Sequence, residues 1–173
     1  MNLLKKTIKI IEPHTKEDKE AFWKAKNECF IEDIFPDSDL GEPITEEDKE
    51  YFLSEEYYGI IENLCDREID KARKVFFCQD GKIVGFSLYC TYLSEDGKCF
   101  ILDFCILREY RNKGIGKICF SALKDDAGNN GAVYYQLNTH CERSKRFWES
   151  LGFIGETYDD HGVILLTLDN AFT

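Results

Sequence analysis

The residues of this chain whose types and spacing suit chemistry gather in one short stretch. Arg111, Asn112, Lys113, Gly114, Ile115, Gly116 and Lys117 follow the apolar run from Ile101 to Leu107. They lead into Ile115, Ile118, Cys119, Ala122 and Leu123, which recur at helical spacing and make one apolar face. A strand therefore runs into a basic, glycine-bearing turn that opens on a helix. The first amides of a helix have no intrahelical acceptor, and the helix dipole adds partial positive charge there. Glycines at 114 and 116 let an anion approach the main chain, and Arg111, Lys113 and Lys117 add full charges. The pattern describes a cradle for a pyrophosphate. An ordinary strand-to-helix turn with glycines for tightness would carry the same letters, so context decides.

Asp103 is the one charge inside the strand before the turn. Strict alternation puts it on a face with Ile101 and Cys105, with Leu102 and Phe104 on the other. A buried carboxylate is costly unless it is paired or its pKa rises. Three readings stay open: a general base, direct or through water; a contact for a substrate ammonium group; or a structural bond to a loop amide. His14 and His161 have no supporting constellation, and His140 ends a later strand. The eight cysteines include no Cys-x-x-Cys, and no His stands at ligand spacing from a cysteine pair, so no metal site is expected. Cys78, Cys90, Cys99 and Cys105 fall inside apolar strand patterns, where a free thiol acts as a small hydrophobe. Reduced, buried thiols point to a cytoplasmic protein.

The 173 residues fit one domain, 1–173, and with 43% hydrophobic and 14% aromatic residues the whole length can pack. A formal charge of −11 disfavours nucleic acid and anionic membrane surfaces. It favours a cationic partner, or simply solubility. The first seven residues carry two lysines but no apolar core for a signal peptide, and no run reaches membrane-span length.

Thr7 to Ile11 reads as a first strand, and Thr15 to Asp18 as the capped start of a helix carrying Phe22, Ala25 and Cys29 inward. Phe35 to Pro43 is an acidic loop with the look of a site-lining element. Thr45 to Asp48 begins one broken helix or two short ones, through about Ala72, with Tyr57, Ile60, Ile61, Leu64 and Cys65 as its stripe. Three strands follow, Val75–Cys78, Ile83–Tyr92 and Cys99–Leu107, turned at Asp80-Gly81 and Asp96-Gly97. After the cradle helix come a strand at Ala132–Leu137, a helix through Ser144, Phe147, Trp148 and Leu151, and a closing strand at Val163–Leu168. Thr139 and Glu142 read as a capping box for that last helix. The order predicts an α/β (α+β) domain around one mixed, mostly antiparallel sheet.

Arg111, Gly114 and Gly116, with Ile115 in the apolar slot, resemble the Arg/Gln-x-x-Gly-x-Gly/Ala signature of the GNAT family of N-acetyltransferases. Ser144 through Phe153 resembles a second family landmark, Ala-x-x-x-Tyr-x-x-x-Gly-Phe, and the element order matches over essentially the whole chain. The resemblance implies an acyltransferase enzyme that uses acetyl-coenzyme A and has a splayed strand at the cofactor site. It implies backbone contacts to the pantetheine arm from Cys105, Ile106 and Leu107, and a pyrophosphate loop formed by Arg111, Asn112, Lys113, Gly114, Ile115, Gly116 and Lys117. Two positions depart from the pattern. Trp148 stands where many members carry a tyrosine that protonates the leaving thiolate, and an indole N–H does not titrate as an acid. Another group then acts (Tyr134, Tyr135 and Cys141 are nearby in sequence), or the thiolate takes its proton from water. Cys141 stands where an asparagine often meets the pantetheine, and Asn138 is expected to take over that contact. The resemblance leads to acetyl transfer to a primary amine, by direct attack in a ternary complex, with Asp103 as base or ammonium contact. Asp37, Asp39, Glu42, Glu55 and Glu56 are expected on the acceptor side, favouring a small cationic amine; a homodimer is an open expectation. The alternatives are a protein or peptide acceptor, or a coenzyme A sensor without turnover.

Overall fold

A computed structural model of the chain describes residues 7–170. The leader expectation falls largely on residues 1–6, outside the described residues. One seven-stranded sheet carries the fold, in the order β1-β2-β3-β4-β5-β7-β6. The strands are β1 (Lys9–Ile11), β2 (Ala72–Gln79), β3 (Lys82–Tyr92), β4 (Lys98–Ile106), β5 (Tyr134–Asn138), β6 (Ile154–Tyr158) and β7 (Ile164–Asp169). Every pairing is antiparallel except β4 with β5, which is parallel. The Asp80-Gly81 turn forms as expected, with both residues at positive φ.

Helices cover both faces. On one side lie α1 (Lys16–Cys29), a π-helical turn (Phe30–Ile34), α2 (Glu46–Phe52) and α3 (Glu55–Cys65). Their apolar layer joins Phe22 and Ile61 to Ala72, Phe76, Phe86, Leu88 and Cys105 of the sheet. On the other side α4 (Ile115–Asn129) and α5 (Glu142–Ser150) pack Ile115, Cys119, Leu123 and Trp148 onto Val75, Val84, Ile101 and Leu166. Thr15 and Thr45 each close a capping box, with Asp18 and Asp48, so the two helix starts read from sequence are local structures in their own right.

Four expectations need correction. Ile60, read as part of the α3 stripe, is exposed. The helical stretch ends at Cys65 instead of continuing to Ala72, and Ala72 to Lys74 belong to β2. The strand β6 has no counterpart among the expected elements; it is a five-residue edge strand with Gly155 inside it and Ile154 and Tyr158 facing solvent. The alternation assumed around Asp103 is broken by a bulge, because Leu88 pairs with Asp103 while Tyr89 pairs with Ile101, leaving Leu102 as an extra residue. Ile101 therefore turns to the α4 layer, and Asp103 shares the α1 side with Leu102 and Cys105.

Candidate active site

β4 and β5 pair only over Lys98–Phe100 against Tyr134–Gln136. Beyond that point β4 continues beside β3 to Ile106, and β5 stays with β7 through Asn138. The two strands part as a V whose inner edges have no ladder partner among the described residues. A short 3-10 turn (Arg108–Tyr110) follows β4 and delivers the chain to the start of α4. There Asn112 and Gly114 both adopt positive φ, and Gly114 is the N-cap residue, with no side chain capping the first turn among the described residues. A methyl group added at Gly114 would meet nothing within 4 Å. Asn112, Lys113 and Lys117 are exposed around it, Lys113 donating to the Glu109 carbonyl at 2.7 Å. Uncapped amides, glycine backbone and open space at a helix start suit an anion. Gly116 has another reason to be glycine: an added methyl would lie 3.1 Å from the Phe147 ring and 3.6 Å from Ile106. It lets α4 settle against α5 and β4, alongside buried Ile115.

Arg111 does not extend its charge into this cradle. Its Nη1 and Nη2 donate to the two Asp33 oxygens at 3.0 and 2.7 Å, and its Nε donates to the Ile106 carbonyl at 2.6 Å. The guanidinium holds the Asp33 carboxyl below its usual range. Arg108 adds a second contact to Asp33, at 3.1 Å. Of the backbone groups assigned to a pantetheine arm, the Leu107 amide is taken by Val84 at 2.9 Å. The Ile106 carbonyl takes Arg111 Nε and, more weakly, the Cys105 thiol at 3.6 Å.

Asp103 faces Lys26, with Oδ2 and Nζ 3.4 Å apart and side chains 8% and 0% exposed. The contact is an ion pair, and neither atom has a hydrogen-bond partner among the described residues. The ammonium also sits 3.6 Å from the Phe30 ring centroid and 4.8 Å from that of Tyr57. Burial raises the Asp103 carboxyl and lowers the Lys26 ammonium, while each charge opposes the other's shift. A carboxylate with two aromatic rings is the cage an external ammonium would want, and Lys26 already fills it. Sequence reading missed Lys26, although it stands at helical spacing from buried Phe22.

The other arm of the V is tied down differently from the expectation. Asn138 donates to Asp159 at 2.9 Å. The Thr139–Glu142 capping box does not form, since the N-cap of α5 is Cys141 and carries no side-chain cap. The amide of Glu142 instead donates to Asp39 Oδ1 at 2.7 Å, a cap supplied from a remote loop. Asp39 and Leu40 amides donate to the His140 carbonyl at 2.9 and 2.8 Å, and Arg143 pairs with Asp37 at 2.9 Å. Residues 32–40 thus form a strap, held to the end of β4 through Asp33 and to the start of α5 through Asp37 and Asp39. Glu42, Glu55 and Glu56 stay exposed. Trp148 is a core residue, edge-on to Phe104 and Phe120. Tyr134 is hydrogen-bonded to Asp96 and Tyr135 to the Lys124 carbonyl, at the far end of β5 from the V.

Residues 32–153 match the acetyltransferase (GNAT) family, and the chain belongs to it. Over 84 residues it is 36% identical to the uncharacterized N-acetyltransferase YhfO of Bacillus subtilis, covering 46% of this chain and 56% of that one. The matched stretch thus spans little more than half the length of that relative. The fold is shared with PaiA N-acetyltransferase from Thermoplasma acidophilum, solved in complex with coenzyme A (TM-score 0.66, 17% identity, 94% of this chain and 99% of that one). It is shared too with the ribosomal-protein-S18-alanine N-acetyltransferase of Escherichia coli (TM-score 0.60, 16% identity, 96% of each chain). Among the described residues no helix is long and apolar enough to cross a membrane.

Proposed function

We propose that this chain transfers an acetyl group from acetyl-coenzyme A to a primary amine, by direct attack in a ternary complex, with a small cationic amine as acceptor. The observation that carries the reading is the V between β4 and β5 ending at the uncapped, glycine-bearing start of α4. An open strand edge suits an amide-bearing arm, and the cradle beyond it suits a pyrophosphate, so the residues present fit coenzyme A. Main-chain groups of Ile106, which alternate away from the β3 ladder, would hold the arm. The amides of Asn112 to Lys117, with the exposed charges of Lys113 and Lys117, would hold the pyrophosphate. Arg111 positions the Ile106 carbonyl instead of meeting phosphate directly.

Acetyl-coenzyme A supplies an activated acyl carbon and a thiolate leaving group. The chain's own task is to hold an amine against that carbon and to accept its proton. Asp103 is our candidate acceptor, acting through the buried pair with Lys26. Burial pushes the Asp103 carboxyl up against the opposing Lys26 charge, and a perturbed carboxyl on the splayed strand is a candidate for proton transfer. The Lys26 ammonium beside Asp103 supports the base role over a direct contact with the substrate ammonium. Trp148 leaves the thiolate to take its proton from water. The overall charge of −11 and the exposed Glu42, Glu55 and Glu56 favour a cationic acceptor.

The test is a panel of mono-, di- and tri-cationic amines with acetyl-coenzyme A, read by free thiol at low and physiological salt. Amine-dependent thiol release rising with amine charge at low salt is expected. Coenzyme A binding without release would make the chain a sensor, and release indifferent to amine charge would remove the cationic preference.

A further inference from the structure

Two thiols that acyl transfer does not use meet between α1 and β4. Cys29 ends α1, and Cys105 lies on β4 where it has parted from β5. Their sulfur atoms and one Asp33 oxygen all lie within 4.8 Å of one another. Such a trio could ligate a metal ion, yet both Asp33 oxygens rest on the Arg111 guanidinium, whose permanent charge opposes a cation there. The same charge favours a thiolate, and Arg111 Nη2 stands 3.8 Å from Cys105 Sγ. The neighbouring Cys29 thiol and the Arg111 guanidinium hold Cys105 below the usual thiol range, while Cys29 is pushed above it, which makes Cys105 the nucleophile. Elsewhere burial pushes Cys65 up to about 11 and Cys99 and Cys119 up to about 12.

We propose that Cys29 and Cys105 are an oxidative modification site, closing a reversible disulfide between α1 and β4 with a hydroperoxide as oxidant. The Cys105 thiolate attacks a peroxide oxygen, the O–O bond breaks, and the departing hydroxide takes a proton to become water. Cys105 is then a sulfenic acid. The Cys29 sulfur attacks the Cys105 sulfur; the S–S bond forms, the S–O bond breaks, and the Cys29 proton leaves with the hydroxide as a second water. Two thiols lose two electrons in all, and the peroxide gains them. An external dithiol reverses the bond by exchange. Nothing in this chemistry depends on the acyl-transfer reading.

The experiment treats the full chain with stoichiometric hydrogen peroxide, blocks the remaining thiols, and maps peptides by mass. The expected result is loss of two hydrogens from the intact mass, one linked peptide pair joining Cys29 to Cys105, and its disappearance with dithiothreitol. In Cys29→Ala the link should be lost, and Cys105 should be trapped as its dimedone adduct. Cys29 and Cys105 both alkylated after peroxide, a link between other cysteines, or a Cys29→Ala chain whose Cys105 gives no adduct would each overturn the proposal.

Discussion

Replacing Gly114 with aspartate and, separately, with alanine isolates the charge at the cradle from the strain of the backbone. Gly114 sits at φ +77°, and a side chain there points into open space. Either substitution carries the left-handed penalty, about 1–2 kcal/mol, which lowers the melting temperature of both variants. Only the aspartate adds a charge where the pyrophosphate should lie. Two unit charges about 4 Å apart interact by about 4 kcal/mol at an effective dielectric of ~20. Halving this for an exposed, salt-screened site leaves about 2 kcal/mol, roughly a 30-fold weaker Kd. Isothermal calorimetry with coenzyme A should therefore show Gly114→Ala within a few-fold of the parent and Gly114→Asp weaker by about 30-fold or more. The gap should narrow as salt is raised. Equal affinities for the two variants would refute the placement of the pyrophosphate at α4.

Three further outcomes follow from the buried and strapped charges. Asp33→Asn removes a two-pronged, charge-assisted contact and should cost about 1.5–3 kcal/mol of stability in urea unfolding at neutral pH. Because Arg111 depresses the Asp33 carboxyl, its contribution is complete above the unfolded value of about 3.9 and is lost as pH falls through the folded one. The difference between parent and variant should therefore shrink in acid; a gap unchanged at low pH would contradict the pairing. Lys26→Met strands a buried carboxylate and should cost about 3–5 kcal/mol, with much of the loss recovered in Lys26→Met/Asp103→Leu, whereas additive losses would deny the coupling. Asp103→Asn should keep coenzyme A affinity and lose most of kcat in the thiol-release assay, and a near-parental kcat would leave Asp103 a structural role.

What the sequence revealed and what it hid divide by range. The Thr15 and Thr45 capping boxes, the Asp80-Gly81 turn and the cradle are made by residues within a few positions of one another, so their letters suffice. The contacts that define the inside of the site are distant: Arg111 reaches back 78 residues to Asp33, and Glu142 reaches 103 residues to Asp39. Neither leaves a periodic trace. Thr139 and Glu142 had capping-box letters, but Asp39 supplies the cap from outside, which a local pattern cannot reveal. The bulge at Leu102 is equally silent, since period-two alternation simply fails there, and it decides which side Asp103 faces. Lys26 leaves no signal in the sequence because a lysine is normally solvated, and only the facing carboxylate and rings explain its burial.

The arrangement of the strap changes what the acidic surplus means. The carboxylates nearest the V look, in a list of residues, like a lure for cations. Asp33, Asp37 and Asp39 instead meet Arg111, Arg143 and the amide of Glu142. Asp33 and Asp37 are thus paired with arginine, and under the proposed reading a cationic acceptor would be drawn by exposed residues such as Glu42, Glu55 and Glu56. Arg111 stands at the joint of the arrangement. Its backbone begins the turn proposed to hold the pyrophosphate, while its side chain holds both the Ile106 carbonyl and the strap. Through that side chain the proposed pyrophosphate turn, the end of β4 and the near end of residues 32–40 share one set of contacts.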